Sequence, residues 1–385
     1  MIDARAKGTI FVMALVMAVC DLPSVIHAQG TKRDSAGVEI IQVPRADRRI
    51  GWTFQKIMSV GGADDDRLTL PELDARYVVA NAAGRIFVLD WLEGVVQVIE
   101  PDGRPGKSLG RKGRGPGELT VARGLDVAAD GSVLVVDAAK RAFVRWDATG
   151  KVMSEKPFAV SIFGGQVRST NVGVIMQIRD LRSRQTRMRL AHVMGDSAVD
   201  LAALTWPPTR APTYVSCPEY SVESPPFFWP WLKWDYNDGY VAVVSSARYE
   251  IDVFQGDRLV RSIRRDIEPM EVTDAVIAEE IESITVRGCT IPGAERAKVL
   301  GYMPILPVIA AVAVGPGGRI WVQRHVPGPG SDKIDVFTVD GDYEGTILAG
   351  EPFPASFVGK DGIVELTQDS QGVPVIRRYR WTIAK

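Results

Sequence analysis

The chain has 385 residues, with 46 lysines and arginines against 47 aspartates and glutamates, a formal net charge of −1 and 46% hydrophobic residues. This hydrophobic fraction can form a buried core, so the chain is not of the disordered class. The near-zero charge argues against a general nucleic-acid-binding protein, because contacts to phosphates need a surplus of basic residues. Its 3 histidines leave little material for a histidine-rich metal site.

The N-terminal segment has the features of an export signal. Two basic residues precede an apolar run over 9–20, and the small residue Ala28 follows. This order is typical of a cleaved secretory signal, and the run is shorter than the roughly 20 residues of a membrane span. We predict a signal peptide over 1–28, no transmembrane span, and an extracytoplasmic location that is periplasmic or secreted. A lipid anchor at Cys20 is the alternative to cleavage.

An internal repeat organises the remainder of the chain. Each copy has a short apolar strand, a glycine-containing turn and a second apolar strand, the pattern of a β-hairpin, and a third strand follows. A period of roughly 40–50 residues with insertions is typical of propeller blades. The six copies begin with Tyr77–Asp90, Leu125–Asp137, Val167–Gln177, Tyr236–Val244, Ala311–Gln323 and Ser356–Leu366.

The two ends of the chain predict how the ring closes. The last copy ends after its third strand. Trp52–Gly62 resembles Gly106–Gly113, which stands where a fourth strand would follow the first copy. We therefore predict that the N-terminal strand completes the last blade, because this pairs strand edges that would otherwise be exposed.

The predicted fold is all-β, a six-bladed β-propeller over residues 52–385 that follows a lead-in at 29–51. Two insertions interrupt it, at about 205–234 and 267–308, and the second contains a short helix with Thr273 as its N-cap. A two-sheet sandwich is the alternative architecture, but it would not require a regular period.

The segment Ser108–Leu119 (SLGRKGRGPGEL), the hairpin that ends at Asp137 and the strand Phe143–Trp146 resemble the NHL-repeat family of six-bladed propellers, especially exported bacterial members of unassigned function. The resemblance covers about residues 37–384. It implies a ligand site on the face where the loops from each outer strand to the next inner strand lie together with the loops between second and third strands. We call this the loop-rich face. Because propellers host many activities, the resemblance implies none in particular.

Aromatic residues are concentrated in the first insertion, and arginines in the central loop of the third unit. Rigid rings can form a platform for a sugar or peptide, although packing of the insertion against the ring is the alternative. Arginine forks match carboxylate or phosphate groups. With one histidine from a loop of the fifth unit, the candidate ligand-binding residues are Trp229, Trp231, Trp234, Arg182, Arg184 and His325.

Two cysteines remain after removal of the signal peptide, one in each insertion. They are Cys217 and Cys289. Because an export compartment permits disulfides, we predict a bridge that holds both insertions over the same part of the ring.

The run Gly106–Gly110 (GKSLG) has the Gly-x-Ser-x-Gly pattern, but it lies where a fourth strand is predicted, and no elbow between a strand and a helix suggests a serine hydrolase. Gluconolactonase- and paraoxonase-like propellers place Ca²⁺ in the central channel with Glu, Asn and Asp ligands, and the corresponding candidates are Asn81, Asp126 and Asp235. We expect a binding or scaffold module for a protein, peptide or glycan rather than an enzyme. A Ca²⁺-dependent lactonase- or esterase-like hydrolase with its site in the channel is the alternative.

Overall fold

The computed structural model describes residues 31–71, 74–180, 187–205, 213–216, 221–224, 226–278, 293–326 and 332–383. Their strands form a six-bladed propeller, which confirms the predicted fold class. Within each blade, strands that follow one another in the chain pair antiparallel, and the first of them lines the central channel. N-terminal strands are added to blades 4 and 6. Among the described residues, no helix is long and apolar enough to cross a membrane.

The first three blades follow the predicted copies. Blade 1 has three strands, and the segment after its third strand adds isolated bridges Val96↔Leu109 and Ile99↔Pro105. A 3₁₀ turn at Ala75–Tyr77 leads into it. The strands are β4 (Val78–Ala80), β5 (Ile86–Asp90) and β6 (Val95–Ile99) in blade 1, β7 (Ala122–Val127), β8 (Val133–Asp137), β9 (Ala142–Trp146) and β10 (Val152–Pro157) in blade 2, and β11 (Ile162–Ser169), β12 (Val174–Asp180), β13 (Arg187–Met194) and β14 (Ser197–Thr205) in blade 3.

The other three blades carry the insertions. The first insertion contains a hairpin, and the second contains two short helices, α1 (Asp274–Val276), capped by Thr273 as predicted, and α2 (Gly293–Leu300). The strands are β15 (Thr213–Ser216) and β16 (Ser221–Ser224) in the hairpin, β17 (Leu232–Asn237), β18 (Tyr240–Ser245), β19 (Glu250–Gln255) and β20 (Arg258–Arg265) in blade 4, β21 (Ile309–Gly315), β22 (Arg319–Arg324), β23 (Lys333–Thr338) and β24 (Tyr343–Ile347) in blade 5, and β25 (Ser356–Val358), β26 (Gly362–Gln368) and β27 (Pro374–Ile383) in blade 6.

The N-terminal strand β3 (Trp52–Gly61) pairs antiparallel with β27 and completes blade 6, as predicted. Aromatic packing supports this closure. Trp52 and Trp381 stack with ring centroids 4.7 Å apart, and Trp321 of blade 5 meets Trp52 edge-on at 5.2 Å. Such pairs contribute about 0.5–1.5 kcal/mol beyond the burial of their area.

The segment predicted as a lead-in has structure of its own. A hairpin of β1 (Thr31–Ser35) and β2 (Val38–Val43) extends blade 4 to six strands, and β2 runs parallel to β20. Ile41 is fully buried in this seam. The edge strand β1 is exposed along its whole length, and its charged residues Lys32, Arg33 and Asp34 disfavour pairing with another chain.

The two insertions contact each other through backbone hydrogen bonds. Phe227 N donates to Gly301 O at 3.0 Å, and Met303 N donates to Phe227 O at 2.9 Å. The predicted partners Cys217 and Cys289 lie outside the described residues, so their disulfide stays a prediction, as do the signal peptide and Cys20. The seam shows that the insertions meet over the same part of the ring.

An ion cluster lies between blades 4 and 5. The fully buried Asp335 pairs with Arg265 at 2.8 Å and with Arg324 at 3.0 Å, and it accepts hydrogen bonds from Tyr249 (2.7 Å) and Thr346 (2.6 Å). Burial and then the charge of Asp335 raise the pKa of Tyr249 well above its usual value, so the phenol stays a donor.

Asp47 of the N-terminal segment joins this cluster, with Arg324 at 2.7 Å, Arg265 at 2.8 Å and Lys333 at 3.1 Å. Burial alone would raise the pKa of Asp47, but hydrogen bonds from Arg324 and Lys333 outweigh burial and lower it to about 2. The carboxylate therefore stabilises the fold above its unfolded-state pKa, and this contribution is lost as the pH falls through the folded-state value.

We expect Asp47→Asn to be less stable than the parent chain at pH 6 by about 1–2 kcal/mol. The difference should shrink as the pH falls from about 4 towards 2, because protonation then removes the same charge from the parent chain. Thermal unfolding of both chains over this range measures it. Asp64→Asn, at an exposed aspartate, is the control, and a gap between parent and Asp47→Asn that does not change with pH would contradict the prediction.

Candidate functional site

The central channel opens into a cavity on each face of the ring. The cavity on the loop-rich face has a volume of about 690 Å³, and residues at the starts of inner strands line it. The cavity on the opposite face has a volume of about 1150 Å³, and turns between first and second strands line it. Arg168 and Asp235 line both cavities, so this pair lies between them.

Arg168 lies in the channel and pairs with two carboxylates. Its Nε lies 2.7 Å from Asp235, and its Nη1 lies 3.7 Å from Asp126. Burial alone would lower the pKa of Arg168, but the charges of Asp235 and Asp126 outweigh burial and raise it. The same carboxylates accept backbone N–H groups of neighbouring blades, from Ser169 at 2.6 Å and from Val314 at 2.8 Å. The cluster therefore joins the inner strands of blades 2 to 5.

The predicted calcium ligands do not form one site among the described residues. Asp126 and Asp235 lie in the channel as expected, but they bind a guanidinium. Asn81 lies in the turn after β4, where its side chain accepts the backbone N–H of Arg85 at 3.0 Å. Within the described ranges, no group of three or more His, Cys, Asp and Glu side chains is arranged to hold a metal ion.

The mouth of the loop-rich cavity contains a lysine that the sequence analysis missed. Lys233 lies two residues before Asp235 on β17, so both side chains point to the same side of the strand. It is half-buried. Burial lowers the pKa of Lys233, the positive charge of Arg76 lowers it further, and Asp74 offsets part of the effect.

Arg76 and Asp74 form a tight pair beside this lysine. Nε of Arg76 lies 2.9 Å from one carboxylate oxygen, and Nη2 lies 2.6 Å from the other. Arg76 packs over Gly165, which has φ = +96°; a Cβ on Gly165 would lie 2.6 Å from Nη1 of Arg76. A larger residue would therefore displace the guanidinium and strain the backbone.

The three predicted tryptophans lie in different environments. Trp229 is 3% exposed and Trp234 is 2% exposed, and Trp234 packs in the core between blades 3 and 4. Those two rings do not form an exposed platform, and packing against the propeller describes them better. Trp231 is half-buried and lines the loop-rich cavity. Phe228, in the segment before β17, has φ = +59°, which is rare for a bulky residue.

The remaining candidates are two arginines and one histidine. Arg182 and Arg184 lie outside the described residues. Arg189, from the same basic cluster, pairs with Asp200 at 2.8 Å. His325 is half-buried after β22, and its backbone N–H bonds to Val308 O at 3.1 Å; it is not among the residues that line the loop-rich cavity.

A hydroxyl, an imidazole and a carboxylate are aligned near the opposite face. His192 Nε2 lies 2.9 Å from Thr170 Oγ1, and Nδ1 lies 2.8 Å from Asp257. The Thr170 oxygen also accepts the N–H groups of Gly173 at 2.9 Å and Val172 at 3.3 Å. Because these bonds occupy the lone pairs that attack would need, the arrangement is a bridge between blades 3 and 4 rather than an activated nucleophile.

Comparison with known proteins supports the architecture. Residues 73–176 match the family model DUF5128, described as a 6-bladed beta-propeller. No curated protein sequence matches the chain. A candidate exported protein from Bacteroides fragilis has a TM-score of 0.50 at 12% identity, over 90% of this chain and 100% of its own.

Two further solved structures are more distant. A DUF4221 member from Bacteroides vulgatus has a TM-score of 0.49 at 8% identity, over 88% of this chain and 100% of its own. The calcium-binding protein regucalcin from Agrobacterium tumefaciens has a TM-score of 0.40 at 11% identity, over 87% and 94%. Similarity at such identities concerns the fold and not the activity. The chain is a six-bladed β-propeller, the architecture that the matched family model describes.

Proposed function

We propose that the protein is an exported binding module that holds a protein segment, a peptide or a glycan in the loop-rich mouth of its channel. The observation that carries this proposal is the cavity of about 690 Å³ whose floor is the Arg168–Asp235 pair. Its volume lies within the range of roughly 300–1,000 Å³ that is usual for ligand sites. The export signal predicted from the sequence supports the location.

The lining suits a ligand with polar groups along an extended chain. The amide side chains of Gln166, Gln177 and Gln323 line the cavity, and amides can both donate to and accept from peptide groups or sugar hydroxyls. Trp231 and Phe353 add rings to the same lining. A rigid ring contributes contact area at a small cost in side-chain entropy.

Trp231→Ala is the direct test of this site. A ligand is first identified by screening the parent protein on peptide and glycan arrays, and its affinity is then measured by calorimetry. We expect the substitution to weaken binding by about ten-fold or more, because a central aromatic contact is lost. The cavity opens at the surface, so the variant should remain folded.

Trp91→Ala is the matched control. Trp91 is a half-buried tryptophan in the second-to-third-strand loop of blade 1, on the same face but not among the cavity-lining residues. Its substitution should leave the affinity within about two-fold. Equal affinities for the parent and Trp231→Ala would place the binding surface elsewhere and reject the proposal.

A further inference from the structure

The mouth of the loop-rich cavity contains a cation that its neighbours do not balance. Lys233 shares a strand face with Asp235, but the Asp235 carboxylate is already bound to Arg168 at 2.7 Å, Gln166 at 2.9 Å and the Val314 N–H at 2.8 Å. Among the described residues, no carboxylate lies within ion-pair distance of Nζ of Lys233.

Asp74 does not supply the missing charge. Both oxygens of Asp74 are bonded to Arg76. At Lys233, the repulsion from Arg76 exceeds the attraction to Asp74. Removing an ammonium from water is costly unless a counter-charge accompanies it, so the lysine occupies this position at a cost to stability.

Counting charges at the mouth indicates the class of ligand. The charges that act on Lys233 are those of Arg76 and Asp74, so this group of three side chains carries one net positive charge. A monoanion balances that local charge, whereas a dianion such as phosphate would exceed it. Glu351 and Glu365 line the same cavity and repel a dianion more strongly than a monoanion.

We propose that Lys233 and Arg76 form a carboxylate subsite, in which the ligand places either the C-terminus of a peptide or the acid group of a uronic sugar. This inference rests on the proposed function and specifies its ligand. The ammonium supplies a point charge, and the planar guanidinium supplies further donors. Binding of the anion favours the charged amine, so affinity should fall at alkaline pH as Lys233 loses its proton.

The test uses minimal probes that differ only in charge. The lysines of the full chain are ¹³C-methylated, which preserves their charge, and Lys233→Arg identifies the Lys233 resonance. N-acetylglycine and glucuronate are titrated against the neutral analogues N-acetylglycinamide and methyl glucoside. We expect saturable shifts at Lys233 with the acids only, and the acid that binds more tightly distinguishes a peptide from a glycan source.

Three variants distinguish a binding role of this subsite from a structural role. Lys233→Met should weaken binding of the better acid by about ten-fold or more without lowering the melting temperature, because it removes an unbalanced charge. Lys360→Met, at an exposed lysine in the turn between β25 and β26, should change neither property. Gly165→Ala should weaken binding by displacing Arg76.

The other outcomes are decisive. Equal shifts at Lys233 with acids and neutral analogues would overturn the carboxylate subsite and leave the binding cavity supported. Absence of any shift at Lys233, with array ligands still dependent on Trp231, would overturn the subsite alone. Absence of both effects would overturn the proposed function as well.

Discussion

Replacing Arg168 with methionine is expected to lower the unfolding free energy by about 3–5 kcal/mol, the usual cost of removing one member of a buried ion pair. Methionine retains much of the side-chain length, so the loss of charge dominates. Asp126 and Asp235 are 7% and 5% exposed. Without the guanidinium, both carboxylates keep their backbone N–H donors but lose their counter-charge.

Denaturant unfolding of the parent and the variant measures this difference. The double variant Arg168→Met/Asp235→Asn should recover part of the loss, because one unbalanced carboxylate is removed, and the resulting cycle gives the coupling energy. Arg145→Met is the control. Its guanidinium bonds to the hydroxyl of Ser132 at 2.8 Å, so the expected change is about 1 kcal/mol. Equal effects of the two arginine substitutions would show that the channel cluster contributes no special stability.

The same cluster explains how the proposed binding site is built. Arg168 separates the two cavities and fixes Asp235 and Gln166 at the floor of the loop-rich one. We therefore expect the floor to be rigid, while specificity lies in the residues above it. Lys233, Arg76 and Trp231 come from different blades and from an insertion, so this mouth can change without changes in the ring.

The fold could be predicted because its signals are local. Each hairpin has apolar strands and a turn glycine within about 15 residues, a distance over which turn chemistry is readable. Closure by β3 was also predictable, because the last copy lacked a strand and the N-terminal segment resembled one. The hairpin β1–β2 was missed because its partner β20 is distant in the chain and runs parallel, so no turn residues reveal the pairing.

The candidate site could be predicted only in part. Asp126 and Asp235 were correctly assigned to the channel, because inner-strand positions follow from the repeat. Their partner Arg168 was missed, since ion pairs between blades join residues that are distant in the chain and follow no regular spacing that could be recognised in the sequence. Lys233 was missed for the same reason. The charges beside it belong to Asp74 and Arg76, which are more than 150 residues away in the sequence. Burial of Trp229 and Trp234 could not be read from aromatic composition alone.

Asp335→Asn is expected to destabilise the protein by about 3–5 kcal/mol. Asparagine keeps the shape of the side chain but removes the charge that faces Arg265 and Arg324. The side chains of Asp335 and Arg265 are both fully buried, so water cannot replace the lost partner. Asp47 remains within 2.8 Å of both arginines and should limit the loss without abolishing it.

The matched control is Asp252→Asn in blade 4. Burial raises the pKa of Asp252, and the hydrogen bond to Ser262 only partly offsets this, so neutralising this aspartate should cost little. Unfolding by denaturant at pH 7 compares the two variants, and hydrogen exchange on β20 and β23 shows where protection is lost. If the cluster fastens blade 4 to blade 5, Asp335→Asn loses protection on both strands while Asp252→Asn does not. Similar unfolding and exchange in the two variants would mean that the apolar seam alone holds these blades together.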